Sequence, residues 1–184
     1  MHSNRLAEYS QRMAAITLVL IVAMMALNAA AWLFPEMASQ YGLGFALTER
    51  QLSSLSEGTS RLTGWQCLGG IVLSSIPLLA LASGLANLRQ LFKRYAQGLY
   101  FSSEAAVYLG KAGRAVALWV LLDFLCEPVL SVLMTIHAPV GQRLLTFSIT
   151  APSFVALFLA ACIAIVARIL SQASEVDSEN RTFV

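Results

Sequence analysis

AVALWVLLDFLCEPVLSVLMTI, residues 115–136, decides what kind of protein this is. Within it only Asp123 and Glu127 are ionisable. At about 1.5 Å per residue, a helix of this length reaches across the roughly 30 Å of hydrocarbon in a bilayer. Backbone groups in lipid must be satisfied within the chain, so the run reads as a transmembrane helix. Working outward, three similar runs occupy about residues 13–34, 65–86 and 152–170. The sequence therefore predicts an all-α integral membrane protein, a single four-helix domain over 1–184, with a helical connection at 87–114 and an acidic tail at 171–184.

Composition agrees. Of 184 residues, 58% are hydrophobic and 12% charged, against about 25% charged in soluble domains. The net charge of +2 gives no footing for direct nucleic-acid binding. Cys67, Cys126 and Cys162 lie far apart in apolar stretches and read as small fillers, neither metal ligands nor a redox pair. The first run follows Arg5 and Arg12, and Asn28 to Ala31 faintly resembles a signal-cleavage site. It continues through Trp32, Leu33 and Phe34, longer than a signal core of about 7–15 residues, and reads as a retained span.

Basic residues give the orientation. Arg5, Arg12, Arg89, Lys93, Arg94, Lys111, Arg114, Arg168 and Arg181 fall on one side, and Arg50, Arg61 and Arg143 on the other. The positive-inside rule then places both termini and the middle connection in the cytoplasm.

The outer connections carry alternating patterns. Tyr41, Leu43, Phe45 and Leu47 interleave with small residues, as do Leu145, Phe147 and Ile149 with Thr146, Ser148 and Thr150. Period two is strand spacing, so these segments form either a small two-stranded patch or irregular loops. Thr48 and Gln51 match a capping box opening a short helix toward Gly58. Pro152 fits the first turn of the fourth span.

The cytoplasmic connection is the most specific stretch. Leu88, Leu91, Phe92 and Tyr95 recur at helical spacing, with Arg89, Lys93 and Arg94 on other faces. The second span should run on as an amphipathic helix ending at Gly98 in a left-handed cap. Ser102 can cap the next helix, with Glu104 in its first turn. Small residues four apart, Ala106 and Gly110, then Gly113 and Ala117, allow close helix approach.

LRQLFKRY at 88–95, then Gly98, then Phe101-Ser102-Ser103-Glu104, resembles the motif of the bacterial family called domain of unknown function (DUF) 2975. Glu179-Asn180-Arg181-Thr182-Phe183-Val184 is similar to the tail of many members, and Gly141-Gln142-Arg143 also fits. The resemblance implies a small four-span membrane protein and suggests a cytoplasmic partner such as a small helix-turn-helix regulator. It marks Leu88, Arg89, Leu91, Phe92, Arg94, Tyr95, Gly98, Phe101, Glu179, Asn180 and Phe183 as an interaction surface. On this reading the tail docks on the stripe, with Phe183 against it and the tail acids near Arg89 and Arg94.

Asp123 and Glu127 are four apart and share a helix face. They sit about 12 and 18 Å into the layer, where facing lipid would cost roughly 2.5–3.5 kcal/mol each. They should point inward, toward Asn28 of the first span and Ser74 and Ser75 of the second. No Lys or Arg is expected to be available at that depth, so at least one acid is expected to be protonated, donating to a carbonyl freed by Pro128 or Pro77. Such a pair is either a proton or cation site or a hydrogen-bonded packing pair.

No enzyme motif is present: no HExxH, SxxK or GxSxG, and no phosphate loop. The sequence therefore predicts no catalytic, cofactor or metal site. Three functions fit. The favoured one is a regulatory or protein-interaction membrane component working through its cytoplasmic connection and tail. The others are a small proton- or cation-linked transporter or channel using Asp123 and Glu127, and a structural accessory subunit.

Overall fold

The computed structural model describes residues 2–36, 38, 47–51, 63–98, 102–136 and 145–182. Four long helices hold most of them: α1, His2–Leu33; α2, Gly64–Ala96; α3, Ser103–Thr135; and α4, Ala151–Thr182. Each apolar run of the sequence lies in one of these helices, apart from its last residue in two cases: Ile136, in the turn after α3, and Phe34, whose N–H still bonds Ala30 O at 2.8 Å. All four are long and apolar enough to cross a membrane. Val19, Leu68, Val72, Leu121, Phe158 and Ile165 are among the large apolar side chains left more than half exposed. That much apolar display marks a surface made for lipid tails rather than water. The chain is an all-α, multi-pass membrane protein.

Local chemistry explains the helix ends. At the start of α2, Thr63 and Gln66 form the capping geometry, the Gln66 side chain accepting the Thr63 N–H at 3.0 Å. The same Gln66 amide donates to Met134 O at 3.1 Å, so one side chain serves the first turn of α2 and the last turn of α3. At the other end of α2, Gly98 adopts φ +82° and donates to Tyr95 O at 3.0 Å, the left-handed stop expected from sequence. Ser102 caps α3 by accepting the Ala105 N–H at 3.2 Å, with Glu104 in the first turn.

At residues 145–150 the irregular-loop reading holds over the strand reading, and the Thr48 cap is not formed. No described residue is in a strand. Residues 145–150 have no regular structure, because the N–H groups of Thr146 and Ser148 bond the Ser131 hydroxyl and the Glu127 carboxylate rather than a neighbouring strand. The other half of the expected patch, 41–46, lies outside the described residues. Residues 47–51 are helical, so Thr48 lies inside a helical segment and not at its cap. Its hydroxyl donates to Asn28 Oδ1 at 2.7 Å instead. Leu52 to Gly58 also lie outside the described residues.

The chain forms two compact units. The first comprises residues 1–21, 80–118 and 151–184, and the second residues 22–79 and 119–150. In the second unit, Trp32, Leu47, Leu130 and Met134 anchor the core, with Ile71, Leu73 and Leu133 packed against it. A methyl on Gly70 would lie 2.6 Å from the Trp32 ring, so α2 can seat this fully buried indole only with glycine there.

In the first unit the helices meet at small residues. A methyl on Gly84 would sit 2.9 Å from Ala115 Cβ, and one on Gly113 3.2 Å from Ala160 O. Ala105, Ala106, Ala112, Ala115, Ala160 and Ala167 are all buried.

Candidate functional site

Asp123 and Glu127, one turn apart on α3, do share a face, and both are buried. The expectation that no cation reaches them is wrong. Arg50, from the helical segment 47–51, places its guanidinium against both. Its Nη2 donates to Asp123 Oδ2, and its Nη1 donates to Glu127 Oε2 at 3.1 Å and to Ser148 Oγ at 2.6 Å. Ser148 completes the arrangement, giving its N–H to Glu127 Oε2 at 3.1 Å and its hydroxyl proton to Glu127 Oε1 at 2.6 Å. Phe147, next to Ser148, meets Phe124 with ring centroids 6.0 Å apart.

The arrangement has a clear electrostatic logic. A planar guanidinium carries donors in a fixed fork, so one side chain can serve two carboxylates one helical turn apart. The Glu127 side chain is 1% exposed, and each of its oxygens has at least one donor. Such pairing offsets most of the cost of burying the charges, and removing one partner would leave the other stranded. With both acids ionised, the trio carries one net negative charge.

Asn28, Ser74 and Ser75 do come together, but as a network of their own. Asn28 Nδ2 donates to Ser74 Oγ at 3.0 Å and to Ser75 Oγ at 3.3 Å, and Trp32 Nε1 donates to Ser74 Oγ at 3.0 Å. Thr48 supplies the remaining donor to Asn28. The carboxylates bond to Arg50 and Ser148 and not to these serines or to a proline-freed carbonyl.

Sequence reasoning missed Arg50 and Ser148 because it assigned depth only within the spans and left connections at the surface. Charge balance offered a signal. Two buried acids need a cation, and the only basic residues between spans on that side are Arg50, Arg61 and Arg143.

The cytoplasmic set is distributed differently. Leu91 is buried, while Leu88, Arg89, Phe92, Arg94 and Tyr95 are half-buried, so the chain itself covers much of the stripe that the sequence leaves open. Arg94 pairs with Glu104 at 2.9 Å, joining the two sides of the Gly98 turn. Arg89 Nε is buried without a hydrogen-bond partner. α4 carries Glu179 and Asn180 in helix to Thr182, and the tail is helical that far. Phe101 and Phe183 lie outside the described residues, so the docking of Phe183 on the stripe does too.

No curated protein and no solved structure matches the chain. The family model described as "Protein of unknown function (DUF2975)" matches residues 4–184, nearly the whole length, and extends the likeness that the sequence carries best in its last two-thirds. The chain belongs to the DUF2975 family.

Proposed function

We propose that this protein is a non-catalytic regulatory component of a bacterial inner membrane, with both termini inside, acting through its cytoplasmic connection and tail. The reading rests on one observation above the others: Asp123 and Glu127 already have their partner in Arg50. A site that passes protons or cations needs acids free to exchange them, whereas a guanidinium-bound pair with a hydroxyl on its flank fixes geometry. The triad then serves to hold the 47–51 segment and Ser148 against α3. Sequence-specific chemistry that remains open to solvent lies along the end of α2, where Gln90, Lys93 and Gln97 are exposed beside half-exposed Arg94. The partner proposed for that surface is a cytoplasmic protein, with a small helix-turn-helix regulator the candidate that the family likeness suggests.

One observation favours a second reading. A single guanidinium faces two carboxylates, and a proton or small cation would complete neutrality. One experiment separates the two. The full chain is purified and tested for retention of a small helix-turn-helix regulator from the same bacterium, and in parallel sealed into vesicles for proton and monovalent-cation flux. The regulatory reading expects retention that falls about tenfold in Lys93→Glu and no flux above empty vesicles. Flux that Asp123→Asn and Glu127→Gln abolish in folded protein would replace it with the transport reading. Reporter fusions after Gly98 and at the C-terminus should report cytoplasm, and an external C-terminus would overturn the orientation.

A further inference from the structure

Between α3 and α4, within the first unit, lies an open cleft of about 470 Å³. Three cations line it, Lys111 and Arg114 from α3 and Arg168 from α4, and no carboxylate among the described residues does. All three are exposed, and none forms an ion pair with a described residue; Lys111 Nζ lies 5.9 Å from the centre of the Tyr108 ring. Like charges held together without a counterion repel, so such a group is kept where an anion joins it.

The floor is made by close helix contact rather than by mobile side chains. A methyl added at Gly110, which lines the cleft, would meet Ala167 Cβ at 3.6 Å. With Ala164 and Ala167 opposite Gly110, nothing bulky fills the cleft, and the Ser171 hydroxyl at its edge adds a donor. Position along the helices identifies the occupant. Lys111 and Arg114 immediately precede the apolar run that begins at Ala115, and Arg168 stands at the end of the run that closes near Leu170. Those are the depths of lipid headgroups, where a phosphate is tethered at high local concentration.

We propose that this cleft binds the phosphate of an anionic phospholipid, with Lys111, Arg114 and Arg168 around the headgroup and the Gly110–Ala167 floor admitting it between the helices. Two arginines supply forked donors to phosphate oxygens, and the lysine adds a point charge. This goes beyond the regulatory reading and does not depend on it, since it needs only that the helices span a bilayer.

The test uses the full chain, incorporated into lipid nanodiscs with equal amounts of phosphatidylglycerol and phosphatidylcholine, then released for native mass spectrometry. Wild-type protein should retain phosphatidylglycerol in preference. The triple variant K111Q/R114Q/R168Q should weaken that retention by about a hundredfold, given the contribution expected of each surface cation. Ala164→Phe, which fills the cleft and keeps every charge, should also weaken it, while Lys93→Gln, off the cleft, should not. Equal retention of both lipids, an unchanged triple variant, an unchanged Ala164→Phe, or an equal fall in Lys93→Gln would overturn the proposal. Displacement by inorganic phosphate as readily as by added phosphatidylglycerol would also overturn it, making the cleft a site for a free anion.

Discussion

In the second unit, helices and connections meet through directed polar contacts: a guanidinium between two carboxylates, a serine hydroxyl between that guanidinium and one of them, an asparagine serving two hydroxyls, and an indole N–H on one of the same two. In the first unit the meeting points are Gly84, Gly113 and a series of buried alanines, and most of the charge is left exposed. Both solve the same difficulty, since lipid tails are as apolar as leucine and give helices little hydrophobic reason to associate. Hydrogen bonds and ion pairs fix register because they have direction, and a misplaced polar group inside a membrane is expensive. Small residues give contact area by letting backbones approach, but they say less about register. The polar unit should therefore be sensitive to chemistry, and the small-residue unit to volume.

The largest effect expected is at Arg50. Arg50→Met leaves two buried carboxylates without their cation and should cost about 3–5 kcal/mol, read as a lower unfolding midpoint in detergent. Adding Asp123→Leu and Glu127→Leu to that variant should recover most of the loss. A triple variant as unstable as Arg50→Met would mean the triad does more than fix the packing of its neighbours. The single amides, Asp123→Asn and Glu127→Gln, keep part of the hydrogen bonding and should insert normally, each losing about 1–3 kcal/mol.

Volume comes next. Gly70→Ala pushes a methyl into the Trp32 ring and should cost about 1–3 kcal/mol, with a changed tryptophan fluorescence spectrum as the second readout. In the first unit, Gly113→Ala meets Ile163 and Ala160 O at slightly longer distances and should cost less. If Gly113→Ala were worse than Arg50→Met, the contrast between the units would be reversed.

At Gly98, where φ is +82° and nothing would touch an added methyl, Gly98→Ala should cost about 1 kcal/mol from backbone strain alone. Smallest is the Arg94–Glu104 pair. Both side chains are more than a third exposed, so a double-mutant cycle should find a coupling of about 0.2–1 kcal/mol that fades with added salt.

The sequence by itself determined the four spans and the helix ends on either side of the Gly98 turn, though not that α1 begins as early as His2 or that α4 runs on to Thr182. Apolar runs long enough for a bilayer, Gly98 as a left-handed stop and Ser102 as a cap are local properties, set by a residue and its neighbours within a turn or two. It also put Asp123 and Glu127 on one face and required them to find partners, because helical spacing and the cost of charge in lipid need no fold. What those partners are, only the tertiary structure decided. Arg50 is 73 residues from Asp123 and Ser148 is 21 from Glu127, both in connections whose return toward α3 leaves no mark in periodicity or composition. The same holds for the strand-like alternation at 145–150. Its period of two is present in the sequence, but a strand exists only if another strand takes its N–H groups, and here an α3 carboxylate and hydroxyl take them instead.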